Sequence, residues 1–268
     1  PKKHYKFSDE KQMIKKRIAA AVVVKNNRVI QSFSFKKYLP VGSVDTIIQN
    51  LDRWGVDDII VLNIDRTSNG LGPNIEMVKK ISSIPISTPL TYGGGITSVS
   101  DAIDVISSGA ERIIIDGLFL KSPSDIKILS EAIGSQAIIL SIPFKVIDGH
   151  FFHFNYLTNI FTKLDLVNIK QYEQIISELL LIDVDAEGDA GSYSNEVVEF
   201  FAEVNIGLIC YGGVGLSSQG SELLDAPSVN AIAYGNILNY GELFFQKVKK
   251  SLTKSKQKLR RSIYRDKI

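Results

Sequence analysis

The sequence predicts a closed (β/α)8 barrel built from two duplicated half-barrels, and three observations carry that expectation. Short, β-branched apolar runs alternate with amphipathic segments, the pattern of a parallel sheet wrapped by helices. Eight such units suit one domain of 268 residues, and no Pro/Gly/Ser-rich linker divides the chain. The third observation is a long repeat. Tyr92-Gly93-Gly94-Gly95-Ile96 is echoed by Tyr211-Gly212-Gly213-Val214-Gly215, and Asp65 is echoed by Asp185 120 positions later. A period this long is a half-domain duplicated and fused, not a solenoid unit. A doubly wound open sheet is the alternative, but a half-and-half repeat fits a closed ring better.

Taken in order, residues 1–16 are polar and read as an N-terminal extension. The run 18–24 is a buried strand. Lys25 to Arg28 is a turn signal, and 29–35 alternates as its hairpin partner. Residues 36–42 contain Pro40 and read as a loop. The segment 44–54 has helical spacing, with Ile47, Ile48, Leu51 and Trp54 on one face. Strand two is 59–64, and Pro73 opens the next helix where its missing N–H costs nothing. Strand three is 86–90. Helix 99–108 stops at Gly109, strand four is 113–116, and helix 123–133 stops at Gly134. Strand five is 136–142, followed by a hairpin over 146–155 around Asp148-Gly149. Residues 156–168 carry no clear pattern. A short helix over 171–177, strand six at 179–184, a helix at 195–204, strand seven at 206–210, strand eight at 229–233 and a closing helix at 241–252 complete the barrel. The barrel is thus expected over 17–254, with a basic tail over 255–268.

Composition narrows the function classes. Hydrophobic residues make up 44% of the chain, enough for one large core. The lone Cys210 lies in an apolar strand and reads as a small core residue. It rules out an internal disulfide. His150 and His153, three apart on a strand, do not share a face, so no metal pair is expected, and no metal or redox cofactor is indicated. The net charge of +2 is unevenly spread, with Lys249, Lys250, Lys254, Lys256, Lys258, Arg260, Arg261 and Arg265 near the end. Without aromatic interleaving or a nucleic-acid motif, this reads as a solvated helical end. No apolar run approaches a membrane span, so a soluble cytoplasmic protein is expected.

Glycines at a strand end let backbone N–H groups approach an anion closely. In a barrel, loops after the strands form the functional face. That face would carry Asn63, Asp65, Arg66, Gly93, Gly94, Gly95, Asp116 and Gly117 from the first half. From the second it would carry Asp183, Asp185, Glu187, Gly212, Gly213, Gly215, Gly235 and Asn236. Two anion sites result, one per half: two phosphates on one elongated, phosphorylated small ligand would fit, as would two unrelated small anions, or none in a degenerate copy.

At these motifs the sequence resembles the cyclase subunit of imidazole glycerol phosphate synthase, the ammonia-using half of a glutamine amidotransferase of histidine biosynthesis. The matching pieces are Arg17-Ile18, Lys25 to Arg28, Tyr92 to Ile96, Gly134-Ser135-Gln136, Val146 to Gly149 and Tyr211 to Gly215. A paralogous branch associated with glycosyl amidation in surface-polysaccharide clusters is closer still, sharing Asp65 and Gly72-Pro73-Asn74. The resemblance implies a phosphate site in each half, a glutaminase partner docked at the N-terminal face, and ammonia crossing the barrel to the opposite face.

The departures matter as much as the matches. The family's two catalytic aspartates fall on Val23 and Pro143, neither of which titrates. General acid–base catalysis contributes about 10²–10⁴-fold per group, so ring closure would need displaced carboxylates, with Asp65, Asp183, Asp185 and Glu187 as candidates. Asp116 stands where the family offers an amide to phosphate, and a carboxylate there would repel the anion by roughly 1–4 kcal/mol at ~4 Å. The family's usual lysine, arginine and threonine fall on Gln31, Ala186 and Asp189, and Asn236 replaces a serine. The family's charged ring, which gates ammonia entry, falls on Arg17, Asp58, Arg112 and Glu178, all with sign kept; Glu111 beside it could face the partner. Two readings follow, a conduit delivering ammonia to a separate N-acetyl sugar amidotransferase or a cyclase-lyase with a relocated acid–base pair, with a binding or structural subunit without ammonia traffic as a third.

Overall fold

The computed structural model describes residues 15–216, 218–239, 244–254 and 257–260. Eight parallel strands are present: Arg17–Lys25, Asp58–Asn63, Leu90–Gly93, Arg112–Ile115, Ile138–Ile147, Glu178–Asp183, Gly207–Tyr211 and Val229–Tyr234. Each pairs with the next, and the eighth pairs with the first, Arg17 opposite Ala231 and Ala20 opposite Tyr234. The sheet is therefore closed, the (β/α)8 barrel that the sequence predicts.

Alternation along the strands sorts side chains into two cores. On the first strand Ile18, Ala20, Val22 and Val24 face the helices, whereas Ala19, Ala21 and Val23 fill the barrel. Both sets are buried, which is why these strands read as continuous apolar runs. The helices carry matching local signals. In Val44–Trp54 the Ser43 hydroxyl accepts the Thr46 amide, and Gly55 closes the helix at φ +73°.

Several boundaries differ from expectation, each for a local reason. The third strand is Leu90–Gly93, not 86–90. Pro85 and Pro89 have no N–H, and the amides of Ser87 and Thr88 donate to Asp52 at 3.0 Å instead of to a neighbouring strand. Gly93 consequently belongs to the strand itself. The expected loop 36–42 contains the strand Lys37–Gly42, paired to Arg28–Phe33; it is an edge strand, where Pro40 is tolerated. The unpatterned segment contains the strand Ile160–Lys163 and the helix Leu166–Lys170, replacing the helix expected at 171–177. All four residues of that strand are exposed, so no burial period marked it. The helix Gly117–Lys121 was not expected at all.

The chain end returns to the start of the first strand. The Lys16 amide donates to the Lys258 carbonyl at 3.1 Å, and the Arg260 amide donates to Lys16 at 3.2 Å. The buried Lys249 ammonium meets Asp57 at 2.6 Å and locks the same corner. Expectations about residues 1–14, 241–243, 255–256 and 261–268 lie outside the described residues. Among the described residues no helix is long and apolar enough to cross a membrane.

Candidate functional site

At the N-terminal mouth, Arg17, Asp58, Arg112 and Glu178 each open a barrel strand and point inward. They meet in one ring. Arg17 binds Asp58 at 3.1 Å and Glu178 at 2.5 Å, and Arg112 binds Asp58 at 3.6 Å and also Glu178. Thr91 donates to Asp58 at 3.1 Å and Asn230 to Glu178 at 2.9 Å. Buried charges survive only when paired and hydrogen-bonded in this way. Burial raises both acids, and the outcome differs between them. It prevails at Asp58, leaving its carboxyl above the usual range, whereas the two guanidiniums hold Glu178 below it. Glu111 is exposed beside the ring, and its carboxylate accepts the Leu90 amide at 2.6 Å.

Above the ring the interior is apolar. Two residues along each strand the same face carries Ile60, Ile114 and Leu180, with Ala19, Ile139, Ile209 and Ala231 alongside. Another two residues on, Leu62, Asp116 and Ile182 line a cavity of about 560 Å³ at the C-terminal mouth. Arg112, Ile114 and Asp116 therefore span about 13 Å from ring to cavity, at ~3.3 Å per residue.

The cavity has an aromatic wall of Phe35, Tyr38, Phe154, Tyr156 and Phe161. Pro143 lines it, while Val23 lies in the inner core with 3% of its surface exposed. Of the four displaced carboxylate candidates, only Asp185 lines this cavity, and it is paired with Lys145 at 2.8 Å. Asp65 accepts from the Asn26 amide at 2.9 Å and the Asn63 side chain at 2.8 Å. Asp183 is buried and accepts from Ala186 and Ser194. Glu187 is buried under the first-strand excursion and accepts from Ser32 at 2.9 Å, Phe35 at 3.1 Å and Tyr211 at 3.4 Å. Burial raises both Asp183 and Glu187, against the donors that hold them down. These two act as structural acceptors.

Asp116 is the group that the cavity leaves unsatisfied. The residue keeps some surface in the cavity, but its Oδ1 is shut off from solvent and meets no donor. Burial pushes its carboxyl up to about 7, against the neighbouring Tyr156 hydroxyl, which favours the charged form. Near neutral pH it is only partly ionised, so the full repulsion of phosphate expected from the sequence does not apply. Thr67 and Tyr156, which no sequence pattern singles out, complete this corner. Thr67 Oγ1 accepts the Gly95 N–H at 2.9 Å and stands beside the Tyr156 hydroxyl.

The glycine loops divide between two places. Gly93, Gly94 and Gly117 line the large cavity. Gly212, Gly213, Gly235 and Asn236 line a second pocket of about 40 Å³, next to Glu187. Two of the expected amides are used internally, Gly95 by Thr67 and Gly215 by the Gln219 side chain at 2.7 Å. Backbone packing demands glycine at both loops. A Cβ on Gly95, at φ +78°, would lie 2.1 Å from the Gly72 carbonyl oxygen; one on Gly213, at φ +83°, would lie 2.5 Å from that of Ala186. His153, read as unsuited to a metal pair, packs edge-on against Phe119 with centroids 5.8 Å apart.

The model of the histidine biosynthesis protein family matches residues 17–244, which is the whole barrel up to the closing helix. The chain belongs to that family. It is 31% identical over 251 residues to the imidazole glycerol phosphate synthase subunit HisF of Clostridium botulinum (strain 657 / Type Ba4), covering 90% of this chain and 97% of the relative. It is 30% identical over 237 residues to the HisF subunit of Sulfurisphaera tokodaii, covering 86% and 95%. The HisF subunit of Flavobacterium psychrophilum is 28% identical over 243 residues, covering 90% and 96%. This HisF-like barrel thus matches its relatives over nearly their full length.

Proposed function

We propose that this chain is the ammonia-using barrel subunit of an imidazole glycerol phosphate synthase-type complex. It would receive ammonia from a HisH-like glutaminase docked on its N-terminal face and use it in the C-terminal cavity. The observation that carries this reading is the closed four-charge ring set directly below the apolar interior of the barrel. An interior of alanine, isoleucine and leucine penalises any ion by desolvation and penalises a small neutral molecule far less. The relatives named as synthase subunits favour ring closure and lysis of a phosphorylated aminoimidazole as the reaction.

The test replaces the glutaminase with an ammonium salt and follows turnover of the aminoimidazole bisphosphate precursor by the purified chain. Turnover supports the synthase reading, and a folded but inactive sample sinks it. With the glutaminase present, Arg17→Ala should cost more glutamine-driven than ammonium-driven turnover. Equal losses would remove the gate from the account.

One observation favours a second reading. Val23 and Pro143 put no titratable group at the two positions where the family resemblance implies aspartates. The chain would then pass ammonia on to a separate N-acetyl sugar amidotransferase. Ammonia transfer to that enzyme, without turnover of the aminoimidazole precursor, distinguishes the two.

A further inference from the structure

We infer that the C-terminal cavity recognises its ligand through Asp116, and that the group received there is an N–H donor of amine or amidine type rather than a phosphate. The inference deepens the proposed use of ammonia in the same cavity by naming the chemistry that the cavity holds.

Three features of the cavity carry it. Two of the amides beside it are already committed: Thr67 Oγ1 accepts the Gly95 N–H at 2.9 Å, and the Ile96 carbonyl accepts that of Leu118 at 3.0 Å. Meanwhile Asp116 presents a shielded oxygen without a donor, a state that costs free energy until a ligand N–H reaches it. The aromatic wall of Phe35, Tyr38, Phe154, Tyr156 and Phe161 offers ring faces to a planar cation. Adding ammonia to a carbonyl carbon yields a nitrogen group that bears N–H donors, the complement of this corner.

The charged groups around the cavity fit the same assignment. Tyr156 is the titratable neighbour of the Asp116 carboxyl among the described residues. Lys145 is engaged by Asp185 at 2.8 Å and lies over the Phe161 ring, and Lys36 sits at the rim. His153 lies behind Phe119, on the helix that follows Asp116, and burial lowers its imidazole to about 4, so it brings no charge near neutrality. A carboxyl raised to about 7 ionises fully when a cation binds, so binding should strengthen as pH rises through that value.

The probe is acetamidinium, with inorganic phosphate as the contrasting anion, both titrated into the full chain carrying 13C-labelled aspartate. Acetamidinium should lower the titration midpoint of the Asp116 carboxyl and shift its signal saturably. Asp116→Asn, nearly isosteric, should weaken the probe about tenfold or more. Tyr156→Phe keeps the carboxyl and should retain binding with an altered midpoint. Acetamidinium binding unchanged in Asp116→Asn would overturn the inference, as would no binding at all, or phosphate perturbing the amides of Gly95 and Gly117. This readout needs no turnover, so its failure is separate from failure of the ammonium assay.

Discussion

The two halves of the barrel carry the same glycine turn in the same place and use it differently. Thr67 and Glu187 are 120 positions apart, as Asp65 and Asp185 are, so they occupy related corners. In the first half the small threonine takes the Gly95 amide, and the acid is Asp116, which opens on the 560 Å³ cavity with an oxygen to spare. In the second half the corner is Glu187, and its oxygens are taken by Ser32, Phe35 and Tyr211, which tie the first-strand excursion down over it. Asn236 reinforces that lid by exchanging hydrogen bonds with the Ser32 backbone. What remains is a pocket of about 40 Å³, room for a few waters or a small anion. A duplicated backbone thus fixes where a ligand can go, while one or two side chains decide whether the place is open, closed or inverted in polarity.

The contrast can be broken most forcefully at the backbone. Gly95→Ala should destabilise by more than about 3 kcal/mol, since it combines a positive φ with a carbonyl contact that cannot yield. Gly213→Ala, with its longer contact, should lose less; denaturant midpoints in the reverse order would undo the argument.

Next in size is the ionisation of Asp116. Its folded value of about 7 exceeds the unfolded value of about 3.9, so the fold favours the neutral form. That favourable contribution is complete below pH ~4 and is lost as pH rises through about 7. Asp116→Asn should therefore gain stability over the parent at pH 8, by at most about 4 kcal/mol, and lose the advantage by pH 4. A pH-independent difference would show that the carboxyl is not held neutral by burial.

Thr67→Val strips the acceptor from the Gly95 amide and should cost about 1–3 kcal/mol, whereas Asn236→Ala, at a partly exposed lid, should cost about 1 kcal/mol. Equal costs would mean that the buried Thr67–Gly95 contact contributes no more than the partly exposed contact of the lid. The smallest effect concerns inorganic phosphate, expected to bind weakly and to shift the amides of Gly213 and Gly235. Phosphate choosing Gly93 and Gly94 instead would reverse the assignment of the two loops.

Much of the frame was legible because parallel barrel strands are buried on both faces and leave continuous apolar runs, as at 18–24. The ring was legible for the same reason: a charge set against the first residue of such a run must lie at the strand start. Edge strands left no such mark. Lys37–Gly42 contains a proline and is mostly exposed, and Ile160–Lys163 buries none of its residues. The site was harder to read than the frame. Asp116 looked like a fixed negative charge because sequence does not disclose burial. Tyr156 and Thr67 reach it from separate loops, and no spacing rule links the three. Asp183 and Glu187 looked chemically available until their donors were visible.

The packing of residues 257–260 beside Lys16 bears on assembly. The surface around the charged ring is stitched from the two ends of the described chain, with Lys249 and Asp57 as the rivet. A ribosome that has released only the first half-barrel has not yet made that surface. That corner is complete only once the last described segment has packed back onto the first strand.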